Sequence, residues 1–159
     1  MLSPATAPGG VLIADAGDHR LLGWSEHPQH HQDADLVLGQ PDFTTATEFP
    51  YAQQKGTRFR FPYGVAQVRD GLAVADTANN RVLIWEDMPR DPEAEPDHVL
   101  GQPSFAKNGE NRWQEITPDT LCWPYGIGTY GNLLAIADSG NNRVVLWERS
   151  DDTAGPKGT

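Results

Sequence analysis

The chain has 159 residues, 38% of them hydrophobic, one cysteine (Cys122), and 12 basic against 22 acidic residues for a formal charge of −10. A chain of this length has enough interior to fold without staples, a single cysteine excludes an internal disulfide framework and clustered-cysteine zinc sites, and so acidic a surface repels phosphate backbones. Nucleic acid is therefore not an expected partner, and 16 Gly with 13 Pro favour short strands and turns over helices.

The opening, Met1-Leu2-Ser3-Pro4-Ala5-Thr6-Ala7-Pro8, has neither a basic start nor a long apolar run. It does not read as a signal peptide, and no later stretch approaches membrane-spanning length, so a cytoplasmic protein with no membrane partner is expected. Pro4 and Pro8 also make this segment a poor strand. Next come Ala14-Asp15 through Arg20 and then Trp24, which recur as Ala75-Asp76 through Arg81 with Trp85, and as Ala137-Asp138 through Arg143 with Trp147. The offset is 61 and then 62 positions, so the chain is an internal repeat of about three units.

After Trp24 the connection Ser25 to Asp33 carries His27, His30 and His31 with Glu26 and Asp33 nearby, a weak metal candidate. The matching connection, Glu86 to Pro96, has no histidine, so a surface loop is preferred and no metal or other cofactor is expected. Val37-Leu38-Gly39-Gln40-Pro41-Asp42-Phe43 closes the first unit and recurs as Val99-Leu100-Gly101-Gln102-Pro103-Ser104-Phe105. In the second unit, Gly64 to Val68, Leu72 to Ala75, Arg81 to Trp85 and His98 to Leu100 read as four short strands, with turns at Arg69-Asp70-Gly71 and Asp76 to Asn80. Phe61-Pro62-Tyr63-Gly64-Val65 returns as Trp123-Pro124-Tyr125-Gly126-Ile127 to open the third unit, whose outer strand has no counterpart. The units fall at about 1–43, 61–105 and 123–148, with connections 44–60 and 106–122 and a polar, flexible tail at 149–159. The two connections are long enough to carry specificity, and Trp113 lies in the second.

Pro-Tyr-Gly-Val at 62–65, Ala-Val-Ala-Asp at 73–76 and Asn-Asn-Arg-Val at 79–82 resemble the signature of NHL repeats, and the version with Leu-Gly-Gln-Pro-Asp-Phe is similar to long repeats of bacterial proteins. The resemblance covers about residues 9 to 148. It implies an all-β fold, a β-propeller of NHL type with about three four-stranded blades per chain, half of a six-bladed ring. Three blades leave sheet faces uncovered, so the ring is expected to be completed by a second copy of the chain, with another blade-bearing chain, or an open arc lying on a partner surface, as the alternatives.

In such a fold Tyr63, Tyr125 and the Asp, Asn and Arg residues of the turns gather on one face. Tyr63, Tyr125 and Trp113 are the candidate ligand or partner contacts. Asp15, Asp76 and Asp138 are expected to hold turn amides locally. Arg20, Arg81 and Arg143 should pair with carboxylates or carbonyls of neighbouring blades, and Trp24, Trp85 and Trp147 should pack between blades. His19, where the other units have Asn80 and Asn142, is expected to accept a local turn bond. Cys122 reads as a spectator thiol.

No catalytic residue is assigned, since the chain lacks a Gly-rich phosphate loop, a Gly-x-Ser-x-Gly elbow and a His-Glu-x-x-His pair. The expected role is that of a non-catalytic module binding a protein or peptide and assembling by self-association. A lyase or lactonase-like propeller enzyme with a channel metal, and an accessory factor for a larger enzyme complex, are the alternatives.

Overall fold

The computed structural model describes residues 10–148, with the backbone of 4–5. Among these residues the chain is all-β: three antiparallel sheets, short 3-10 turns and no α-helix. The tail expected at 149–159 lies outside the described residues.

The first sheet runs β1 (Pro4–Ala5), β2 (Val11–Asp15), β3 (Arg20–Trp24) and β4 (Leu36–Leu38), each strand paired to the next. The interrupted opening thus yields a two-residue strand, paired to Leu12 and Ile13. The second sheet has the same order, β5 (Pro62–Val68), β6 (Gly71–Asp76), β7 (Arg81–Trp85) and β8 (His98–Leu100). Its first two strands start earlier than the periodicity predicts, because Pro62 still opposes Asp76 across a bulge and Gly71 still opposes Val68. The third sheet has three strands, β9 (Pro124–Tyr130), β10 (Leu133–Asp138) and β11 (Arg143–Glu148).

Strand alternation sends one set of side chains to each neighbouring sheet. Leu12, Ala14 and Leu21 of the first sheet meet Leu72, Val74, Leu83 and Trp85 of the second in one apolar cluster. The opposite face of the second sheet, Ala73, Ala75, Val82 and Ile84, meets Leu134, Ile136 and Trp147 of the third in another. Both faces of the middle sheet are therefore buried, and its strands read as continuous apolar runs.

The Gly-Gln-Pro step after each fourth strand has a steric and a polar cause. Gly39 and Gly101 hold φ of +91° and +86°, and a Cβ at either would strike the side chain of Phe59 or Leu121. The following glutamine is buried and staples two stretches of backbone. Gln40 Nε2 donates to the carbonyls of Asp18 and Thr47, and Gln102 Nε2 to those of Asn80 and Gly109 at 3.0 and 2.7 Å.

Candidate functional site

In each unit a 3-10 turn joins the second and third strands, spanning Ala16–Asp18, Thr77–Asn79 and Ser139–Asn141. The aspartate before the turn is its organiser. Asp76 Oδ1 accepts the backbone N–H of Arg60 at 2.6 Å, while Oδ2 accepts from Asn79 Nδ2 at 2.8 Å and Arg81 Nε at 2.7 Å. Asp138 repeats the pattern with the Cys122 amide, Asn141 and Arg143. The expected local turn cap is thus replaced by a longer reach: each carboxylate receives the amide 16 residues upstream, where the chain enters the sheet.

The arginine partners also differ from expectation. Arg81 pairs with Asp76 of its own sheet, both side chains 0% exposed, and its remaining N–H groups donate to the carbonyls of Phe105, Lys55 and Arg58 in the flanking connections. Arg20 pairs with Asp15 and donates to the Phe43 carbonyl, and Arg143 pairs with Asp138 and donates to Thr117 and Thr120. A planar guanidinium with several fixed donors suits a point where three chain segments converge.

The sheets are joined by the residue after each turn, held in the left-handed region. His19 (φ 56°) accepts the N–H of Phe61 on Nδ1 at 3.2 Å, and Asn80 (φ 52°) accepts the N–H of Trp123 on Oδ1 at 2.8 Å. His19 therefore makes a link to the next sheet rather than a local turn bond. Its pKa is lowered from 6.5, chiefly by burial, with the Glu48 carboxylate opposing and the Arg60 guanidinium assisting. Phe61 and Trp123 themselves sit at φ 48° and 51°, an uncommon place for an aromatic residue ahead of proline. These cross-sheet bonds carried one legible trace, the Asn-Asn pair repeated at 79–80 and 141–142.

Just beyond, the first strands bulge. Pro62 opposes Asp76 and Gly64 opposes Ala75, which leaves Tyr63 unpaired, and Tyr125 is the unpaired residue between Pro124 and Gly126. A bulge re-aims its side chain, and the two phenol rings meet with centroids 4.9 Å apart at 43°. Close approach of β5 and β9 requires Gly64, where a Cβ would come within 2.9 Å of the Tyr125 carbonyl oxygen. Tyr125 is exposed and Tyr63 half-buried. Trp123 beside them donates Nε1–H to Glu110 at 2.9 Å, and Trp113 stands out from the second long connection at 79% exposure. The arrangement offers aromatic surface and hydrogen-bonding tips, suited to contact with a peptide or small ligand.

The other candidates fall elsewhere. His27, His30 and His31 are exposed on the connection between β3 and β4, and no group of three His, Cys, Asp or Glu side chains among the described residues is placed to hold a metal. Trp85 and Trp147 are buried and Trp24 is half-buried. Trp24 and Trp85 donate Nε1–H to the carbonyls of Gln32 and Ala94 in the connections that follow. Burial, with the Glu110 and Asp138 carboxylates, pushes the Cys122 thiol up and keeps it protonated at neutral pH. No helix among the described residues is long and apolar enough to cross a membrane.

Fold and site together define an all-β repeat protein whose successive sheets are cross-linked where each chain segment enters its sheet. No protein-family model matches the sequence. No curated protein matches it either. A structure described as a humanized mutant of the Chaetomium thermophilum Polycomb Repressive Complex 2 bound to an inhibitor contains a chain onto which 98% of this chain aligns, with a TM-score of 0.52 and 18% identity. This chain spans 30% of the length of that one, and the likeness is one of fold.

Proposed function

We propose that the chain is a non-catalytic propeller module of the NHL type, its three sheets serving as blades, which binds protein or peptide and assembles with a second copy of itself. One observation carries the assembly. The outward face of the third sheet repeats the face that the second sheet buries, yet Val144 is 64%, Leu146 42% and Tyr130 88% exposed where Val82, Ile84 and Val68 are buried. At the other end Val11, Ile13, Leu22 and Trp24 are half-buried, at the positions where the third sheet uses Leu134, Ile136, Val145 and Trp147 against the second. Each open face thus matches the partner that its equivalent takes inside the chain, and a head-to-tail second copy would cover both.

The paired Tyr63 and Tyr125, with Trp113 and Trp123, are the surface on which we place the bound protein or peptide. Light scattering on the purified chain, with dilution, tests the assembly. A mass of about twice 17.4 kDa is expected, and a stable mass of one chain at every concentration would remove the self-association.

A further inference from the structure

The two joints between successive sheets share a geometry and differ in chemistry. In each, the left-handed residue after the 3-10 turn accepts the amide of the aromatic residue that precedes a proline at the entry of the next sheet: Asn80 Oδ1 takes Trp123 N–H at 2.8 Å, and His19 Nδ1 takes Phe61 N–H at 3.2 Å. Asn80 also donates Nδ2–H to the Asn108 carbonyl at 2.9 Å, and its amide does not titrate. An imidazole accepts on Nδ1 only while that nitrogen is bare, with the proton on Nε2. Protonation puts N–H on both nitrogens, so Nδ1–H would face the Phe61 N–H, donor against donor, and the amide would lose its acceptor.

The surroundings of His19 are poorly suited to an imidazolium. The ring is 5% exposed and stands edge-on to Phe61, with centroids 4.4 Å apart at 83°. Four charged groups face it from the elements packed around it: Asp18 of its own turn, Asp76 at the end of β6, and Glu48 and Arg60 of the first long connection. Each of the three carboxylates is already held by an arginine, Asp18 by Arg20 at 3.0 Å, Glu48 by Arg60 at 2.6 Å and Asp76 by Arg81 at 2.7 Å. Burial, assisted by Arg60, therefore outweighs the pull of the carboxylates and holds the His19 pKa below 6.5. The apolar cluster that joins the first two sheets contains no ionisable side chain, so protonation acts on the joint and leaves the sheet contact in place.

We infer that His19 is a proton-operated latch on the entry of β5: neutral, it holds Phe61, and protonated, it releases Phe61 and with it Tyr63. Phe61 sits at φ 48° and leads through Pro62 into the bulge that aims Tyr63 at Tyr125. Freed from its acceptor, the Phe61 backbone leaves that uncommon conformation more readily, and Tyr63 loses the anchor on its N-terminal side. By linkage, the closed latch binds a proton less well than the open one, so release grows as pH falls below 6.5. The entry of the third sheet, latched by Asn80, does not respond to pH in this range. The latch rests on its own geometry, and only its effect on binding rests on the reading of Tyr63 and Tyr125 as a contact surface.

The test follows the His19 ring nitrogens and the Phe61 and Trp123 amides of the full chain by NMR from about pH 8 to 5, with hydrogen-exchange rates corrected for the intrinsic effect of pH. At the alkaline end Nδ1 of His19 is expected bare and Nε2 protonated. Below pH 6.5 protection of the Phe61 amide should fall, by no more than about tenfold per pH unit as a single proton requires, while that of Trp123 stays level. Contact between the Tyr63 and Tyr125 rings should be lost along the same titration. In His19→Asn the Phe61 amide should stay protected throughout. A neutral His19 carrying its proton on Nδ1, or Phe61 protection that ignores pH, would overturn the latch. An equal fall at Phe61 and Trp123 would do the same, since it reports unfolding of the whole chain, as would a fall that persists in His19→Asn. Ring contact kept while the Phe61 amide opens would overturn the release of Tyr63. The wild-type ring and amide data decide the matter even if the variant does not fold.

Discussion

At the residue scale, the fold concentrates its risk in the buried pair Arg81–Asp76. Truncating Asp76 leaves a guanidinium fully out of water and also frees the Arg60 amide, so Asp76→Ala should cost about 3–5 kcal/mol in urea unfolding. Asp15→Ala should cost clearly less, because its carboxylate is 32% exposed and receives no upstream amide among the described residues. His19 gives the molecule a pH dependence of known sign. Its folded pKa lies below 6.5, so the unfolded chain takes up a proton that the fold resists; the stability His19 contributes is complete above pH 6.5 and is lost as pH falls toward the folded pKa. His19→Asn places the acceptor of the second unit in the first. The variant should keep the link to Phe61 and flatten the stability profile below about pH 6.5, read by thermal unfolding; an unchanged slope would assign the dependence to another group.

At the scale of elements, the repeat signature and the strands were legible because alternation and turn chemistry act over a few residues. The strands 81–85 and 98–100 follow directly from β-branched and apolar runs bounded by Asn, Gly and Pro. What local pattern could not give was the bulge at Tyr63 and Tyr125, or the reach of Asp76 and Asp138 to amides 16 residues upstream, since these depend on how the incoming segment meets a turn formed later in the chain. The Gly-Gln-Pro step likewise reads as a turn in sequence and proves to be a packing constraint. Gly101→Ala must adopt φ near +86° and meet the Asn80 carbonyl at 2.9 Å, so a loss of about 1–3 kcal/mol is expected in thermal or denaturant unfolding. A neutral outcome would show that the segment can rotate away from Leu121.

At the scale of the whole molecule, equivalent positions separate folding from association. Val82→Glu buries an unpaired carboxylate between the second and third sheets and should prevent stable folding. The same change at Val144, exposed on the outer face, should alter stability by no more than about 0.5 kcal/mol while lowering the mass from two chains to one. If Val144→Glu left a doubled mass intact, the third sheet's outer face would not be the contact.

The sequence by itself determined the repeat, the all-β class, the acidic charge and the positions of the aromatic and charged residues in each unit, because a duplication and a two-residue alternation are properties of chain order. Only the tertiary structure decided which of those residues meet. Stacking of the sheets brings Tyr63 onto Tyr125, turns His19 and Asn80 into cross-sheet acceptors, and buries Val82 while leaving Val144 open. Identical residues in successive units differ in role because burial and partnership depend on what lies beside a unit in space, and the local sequence of a repeat does not encode its neighbour.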